Sequence, residues 1–165
     1  MRTQETDIIF LQEVTQPLFD TIREYTKYTN IETNRRGTAI LTGEHMPLTN
    51  RMRLPSGSGM AAELQGVWLV NIYAPSGAEK RKGKEGFFNI DLPYLVQVIP
   101  TTVIVGGDFN CIFAKMDSTG HFNYSRALNE LVRGFDLVDM WASAHERGIY
   151  KHYTRQGARR WTGYT

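Results

Sequence analysis

The strongest constraint on this chain is a set of three short apolar strings, each running into a polar residue. They are Asp7-Ile-Ile-Phe-Leu-Gln-Glu13, Val67-Trp-Leu-Val-Asn-Ile-Tyr73 and Thr102-Val-Ile-Val-Gly106, the last followed by Gly107-Asp108-Phe109-Asn110. Each is rich in β-branched or aromatic residues and is closed by turn-formers or a change of character, which reads as a buried strand. Weaker strands are expected at Gly37–Thr42 and Met60–Leu64. The second of these passes through Gln65-Gly66 into the Val67 strand, the signature of a tight hairpin.

Helical periodicity fills the intervals. Gln16–Tyr25 carries Leu18, Phe19 and Ile22 on one face, and Phe87–Val98 carries Phe87, Phe88, Leu92, Leu95 and Val96. Ser125–Phe135 carries Leu128, Leu131 and Val132, with Asn123 or Ser125 as its cap. Pro93 interrupts the middle helix, which is expected to break into pieces there. Lys80–Lys84 reads as a charged loop before that helix, and Ser56–Gly59 as another loop. Strands alternating with helices and hairpins imply a mixed α/β layered architecture.

Composition adds limits rather than direction. The 165 residues suffice for one domain with a real core, at 41% hydrophobic and 22% charged. A single cysteine, Cys111, excludes an internal disulfide and suits a reducing intracellular compartment, nuclear or cytoplasmic. No apolar run is long enough to cross a bilayer, so no membrane partner is expected. The net charge of +2 does not by itself announce a nucleic acid. The stretch from Arg147 to Thr165 holds five basic residues and no acid, which suits a solvated end as well as a phosphate-binding surface.

Polar groups at strand ends are where chemistry gathers in open α/β sheets. Glu13 closes the first strong strand, Tyr73 the second, and Asp108 with Asn110 follows the third. Residues two apart on an extended chain point the same way, so Asp108 and Asn110 are placed to face one site. Two carboxylates from different strands suit a hard cation such as Mg²⁺. Plainer readings stand beside these. Glu13 alone fits an exposed strand-end charge, Asp108-Phe-Asn110 a turn bonding its own backbone, and Tyr73 a core aromatic. Gly106-Gly107 resembles a phosphate cradle but lacks a P-loop lysine or a dinucleotide fingerprint.

Taken in order, the strings Asp7-Ile-Ile-Phe-Leu-Gln-Glu13, Asn71-Ile-Tyr-Ala-Pro-Ser76 and Val105-Gly-Gly-Asp-Phe-Asn110 resemble the endonuclease/exonuclease/phosphatase superfamily. Gly107-Asp-Phe-Asn-Cys-Ile112, Met116-Asp-Ser-Thr-Gly120 and Ser125-Arg-Ala-Leu-Asn-Glu-Leu-Val132 are similar to the endonuclease domains of insect-type non-LTR retrotransposons. Leu137-Val-Asp-Met-Trp141 and His152-Tyr-Thr154 fit the same pattern. The resemblance implies an α/β fold in which two β-sheets form a sandwich flanked by helices. It implies a Mg²⁺-dependent nuclease acting on DNA, with no small-molecule cofactor. By the same resemblance Glu13 holds the metal and Asp108 orients or deprotonates the attacking water. Asn110 supports Asp108 and the phosphate, Tyr73 hydrogen-bonds the scissile phosphate, and Thr154 helps position the strand.

The likeness also sets expectations by what it does not match. The family's first strand carries a metal-site asparagine that has no counterpart before Met1, and its closing Ser-Asp-His motif is not found. His45, His121, His145 and His152 read as surface or loop histidines. The expectation is therefore one incomplete domain over residues 1–165, lacking the first and last strands and impaired as an enzyme. Two other classes stay open: a non-catalytic remnant that binds nucleic acid weakly, and a phosphatase of the same fold acting on a small phosphate ester. The ending Arg160-Trp-Thr-Gly-Tyr-Thr165 is what a one-base deletion makes of Arg-Leu-Asp-Arg-Ile-Tyr, given suitable codons.

Overall fold

A computed structural model describes residues 7–15, 17, 25–30, 37–43, 45–77, 81–100, 102–113, 124–140, 143, 153–157 and 160–163. The three strong strings form β1 (Ile8–Val14), β6 (Val67–Tyr73) and β7 (Val103–Asp108). Asp108 is the last residue of β7, two positions beyond the expected end of that strand. The weaker strings form β3 (Gly37–Gly43) and β5 (Gly59–Leu64). The order of strength misleads in one respect: β3 is the centre of its sheet, buried along six of its seven residues.

Four strands were not anticipated: β2 (Tyr25–Asn30), β4 (Thr49–Arg53), β8 (Tyr153–Gly157) and β9 (Arg160–Gly163). Strand β4 is solvent-facing and charged, so it shows neither an apolar run nor alternation. The expected Gln16–Tyr25 helix lies outside the described residues, apart from Pro17 and Tyr25, and Tyr25 opens β2 instead.

One sheet has the order β1-β3-β2, all antiparallel. The second has the order β4-β5-β6-β7, antiparallel until β7 joins β6 in parallel. Strands β8 and β9 pair as a separate two-stranded unit. The β5–β6 hairpin turns on Gln65 and Gly66, both at positive φ, the twist that matches a two-residue hairpin.

Period-two alternation divides the second sheet's two faces. Met60, Ala62, Leu64 and Leu69 turn toward the first sheet and pack with Ile40, Leu48 and Phe10. Ala61, Trp68, Val70 and Ile72 turn the other way, onto a helical layer that supplies Phe87, Phe88, Leu92, Leu95, Leu128 and Leu131. This is the expected sandwich of two sheets flanked by helices, the described helices packing on the outer face of the second sheet.

The helical layer corrects two expectations. The charged stretch before Phe87 is not a loop. A helix begins at Arg81 and runs to Gly86, followed directly by a π-helical segment, Phe87–Asp91, and a further α-helix, Leu92–Val96. Pro93 does not break the rod. It sits at the start of the last segment, where its missing N–H costs least, and the turn before it widens so that the Leu92 N–H donates to the Phe87 carbonyl. A further helix runs from Arg126 to Gly134. Ser125 caps it, its hydroxyl oxygen accepting the Leu128 N–H at 3.2 Å.

Candidate active site

Asn71 decides how the two sheets meet. It lies on β6 facing the first sheet, wholly buried, in a position that would ordinarily hold an apolar residue. Its amide nitrogen donates to the carbonyls of Leu11 on β1 and Ala39 on β3, at 2.9 and 2.8 Å. Its amide oxygen accepts from Gln12 Nε2 at 2.8 Å. Such a buried amide is stable because both its N–H groups and its oxygen are bonded.

Just beyond Leu11, β1 breaks register with β3 between Leu11 and Val14. Glu13 sits within that irregularity with φ at +55°, a left-handed conformation unusual for a residue with a side chain. The kink leaves the Glu13 carboxylate exposed at the sandwich edge. Tyr73, on the same face of β6 as Asn71, donates its phenol O–H to Glu13 Oε1 at 2.5 Å.

Strand β7 brings the third group. Tyr73 is the direct partner of Asp108 in the parallel β6–β7 ladder, and the Ala74 N–H donates to the Asp108 carbonyl. Ile104, Gly106 and Asp108 alternate onto the face that looks toward β1. Gly106 is required there, because a Cβ would fall 2.7 Å from the Phe10 ring. Gly107 is required for another reason: φ is +130° and a Cβ would strike the Ile72 backbone. The two glycines therefore serve close packing, and no phosphate cradle is needed to explain them.

Asn110 joins the site by a turn, not by strand alternation. Its φ is +50°, its backbone N–H donates to Asp108 Oδ1 at 2.9 Å, and its side-chain amide donates to the Ala74 carbonyl at 2.8 Å. The local-turn reading of Asp108-Phe-Asn110 is thus true as well, and the turn is what holds the two side chains together. Between them Phe109 points the other way and stacks on Phe88, centroids 6.5 Å apart. That contact anchors the turn to the helical layer.

Glu13, Tyr73 and Asp108 form one electrostatic group. The Tyr73 phenol is held above its ordinary value of 10.0, first by its hydrogen bond to Glu13, then by desolvation and by the negative charges of Glu13 and Asp108. Tyr73 is therefore a neutral donor at physiological pH. The neighbouring Cys111 thiol is pushed up to about 12 by burial and is inert as a nucleophile.

Sequence reasoning missed three residues that organise this site: Gln12, Asn71 and Lys84. Lys84 is buried, and its ammonium donates to the Asn110 carbonyl at 2.6 Å. It could have been found from its spacing, since Lys84 falls three and four residues before Phe87 and Phe88, on the core face. Thr154 lies in β8, whose side chains fall outside what the structure describes. His121, His145 and His152 lie outside the described residues, and His45 is exposed.

A metal fits the donor chemistry of Glu13 and Asp108, both exposed oxygen ligands suited to a hard cation. No group of three or more His, Cys, Asp or Glu side chains is gathered among the described residues. An ion held by these two carboxylates alone would keep much of its water shell. No helix among the described residues is long and apolar enough to cross a membrane.

No protein-family model matches the chain, and no curated protein matches it in sequence. Solved structures do match. The 3′ phosphatase NExo from Neisseria, bound to a product DNA hairpin, superposes with a TM-score of 0.74 at 21% identity, over 94% of this chain and 71% of that one. An AP endonuclease from Archaeoglobus fulgidus gives a TM-score of 0.69 at 20% identity, over 96% and 74%. A truncated TDP2 from Caenorhabditis elegans gives 0.51 at 23% identity, over 64% of this chain and half of that one. The chain spans only 38% of a selenomethionine form of the same protein. These are endonuclease/exonuclease/phosphatase proteins, and the chain shares their fold.

Proposed function

We propose that this chain is a phosphodiesterase domain that nicks DNA with the help of Mg²⁺, of the kind found in non-LTR retrotransposons. The observation that carries the reading is the convergence of Glu13, Tyr73 and Asp108, from three strands, at one exposed edge of the sandwich. The shared fold supports it, as do the DNA ligands named for two neighbours, NExo with a DNA hairpin and a Danio rerio TDP2 with single-stranded DNA product. The retrotransposon assignment rests on the sequence strings alone.

In this reading Glu13 and Asp108, with Asn110 nearby, hold Mg²⁺. When bound, such an ion neutralises phosphate charge and lowers the pKa of a coordinated water. Tyr73, kept protonated by its carboxylate neighbours, donates a hydrogen bond to a phosphate oxygen once Glu13 is engaged elsewhere. Asp108 is an exposed carboxylate and takes up the proton of the attacking water. Asn110 keeps one Asp108 oxygen fixed through its backbone N–H and offers its own amide beside the phosphate. Thr154 helps seat the DNA strand. The chemistry of the product end tests the proposal. Nicked plasmid should be extended directly by a DNA polymerase, because water attack leaving a 3′ hydroxyl needs no end repair. Nicks that require prior phosphatase treatment would argue for a different cleavage chemistry.

A further inference from the structure

Lys84 is the one buried cation in the described part of the chain, with 7% of its surface exposed. Its stem lies on the face that continues into Phe87 and Phe88, so the helix carries it into the core. An ammonium in such a place normally has a carboxylate partner, because desolvating a charge is costly. Lys84 has none among the described residues. Its hydrogen bond goes to the carbonyl of Asn110, the residue with φ of +50° in the turn after Asp108. The charge also reaches the next residue, where it opposes the rise of the Cys111 thiol.

We propose that Lys84 is a positioning residue: it locks the Asp108–Asn110 turn from beneath and places a fixed positive charge behind the site. The inference rests on the phosphodiesterase reading. The turn depends on a chain of bonds. Lys84 holds the Asn110 carbonyl, the Asn110 N–H is held by Asp108 Oδ1, and its side chain is held by the Ala74 carbonyl, so Lys84 supplies the third anchor of this residue. A buried charge facing one carbonyl adds little to stability that a methylene stem would not. Its worth lies in geometry and in the field presented to an anionic phosphate.

Lys84→Met separates a positioning role from a structural one. Its melting temperature should stay within about 4 °C of wild type, the shift that roughly 1 kcal/mol gives at this size. Nicking of supercoiled plasmid with Mg²⁺ should nevertheless fall at least about tenfold, as expected for a displaced catalytic group. Lys84→Arg, which keeps donor and charge, should recover most of the lost rate. The amide resonance of Asn110 in a nitrogen-15 spectrum should move in Lys84→Met while those of Val70 and Ile72 do not. A large drop in melting temperature that accounts for the lost rate would overturn the proposal, as would an unmoved Asn110 resonance. The resonance decides the matter even if wild type nicks nothing, an outcome that would sink the nuclease reading instead.

Discussion

Tyr73 and Glu13, sixty positions apart in sequence, share a hydrogen bond across the two sheets in which the phenol donates to the carboxylate. Neither residue reaches the other by strand geometry alone. Glu13 arrives through a break in the β1–β3 register and a left-handed backbone, while Tyr73 arrives on the face of β6 that Asn71 ties to β1. Strain stored at a residue that no packing need explains is a common property of working sites.

The pair has a pH signature. The folded chain holds the Tyr73 proton more tightly than the unfolded chain, whose tyrosine ionises near 10.0. The stability this group contributes is fully present below pH 10.0 and is lost as pH rises through the higher folded value. Tyr73→Phe should therefore show a shallower loss of stability above pH 10.0 than wild type. Chemical denaturation at a series of alkaline pH values measures this, and parallel curves would contradict the assignment.

Asn71 should be worth more to the fold than any other polar residue described. Asn71→Ala strands the part-buried carbonyl of Leu11 and the buried carbonyl of Ala39, and leaves Gln12 without its acceptor. Unsatisfied buried groups of this kind cost about 1–3 kcal/mol each, so the two carbonyls together imply a loss of about 2–6 kcal/mol. Urea unfolding with an unchanged slope would report it. A loss below about 1 kcal/mol would mean that water replaces the amide.

The two glycines of the third strand's end predict opposite tolerance from a hairpin glycine. Gly107→Ala places a methyl group against the Ile72 backbone and should cost more than about 4 kcal/mol or prevent folding. Gly66 also has positive φ, +83°, but open space around it. Gly66→Ala should cost only about 1 kcal/mol, the conformational penalty alone. Equal effects at the two positions would show that the close approach of β6 and β7 is not as described.

Much of this arrangement was legible in the sequence, because buried strands announce themselves. The apolar runs at Ile8, Val67 and Val103 have no other stable fate, and Gln65-Gly66 fixed one hairpin. Strand β4 was not legible, since Thr49-Asn-Arg-Met-Arg53 pairs through its backbone while all its side chains but Met52 face water. The helix at Arg81 hid behind its charges, and Pro93 misled because a widened turn can absorb a proline that a regular helix cannot. In the site itself, residue types at strand ends pointed to Glu13, Tyr73, Asp108 and Asn110. The bulge, the turn and the buried amide that bring them together depend on contacts across sixty residues, which no local pattern contains.

The metal reading makes a graded prediction. Two carboxylates hold Mg²⁺ loosely, since the ion prefers a near-octahedral shell and surrenders its water reluctantly. Calorimetric titration should show weak binding in wild type and further weakening in Glu13→Gln and in Asp108→Asn. Tight binding, or binding that neither substitution alters, would place the ion elsewhere.

The central claim is that Asp108 sits at the heart of a phosphodiester-cleaving site. Supercoiled plasmid incubated with wild-type protein and with Asp108→Ala, each with Mg²⁺ and with a chelator, tests it most directly. The account predicts slow conversion to open circles by wild type with Mg²⁺, none with chelator, and a loss of at least about a hundredfold in Asp108→Ala, the usual scale for a positioned general base. Nicking that persists unchanged in Asp108→Ala, or no nicking by wild type under any of these conditions, would contradict it.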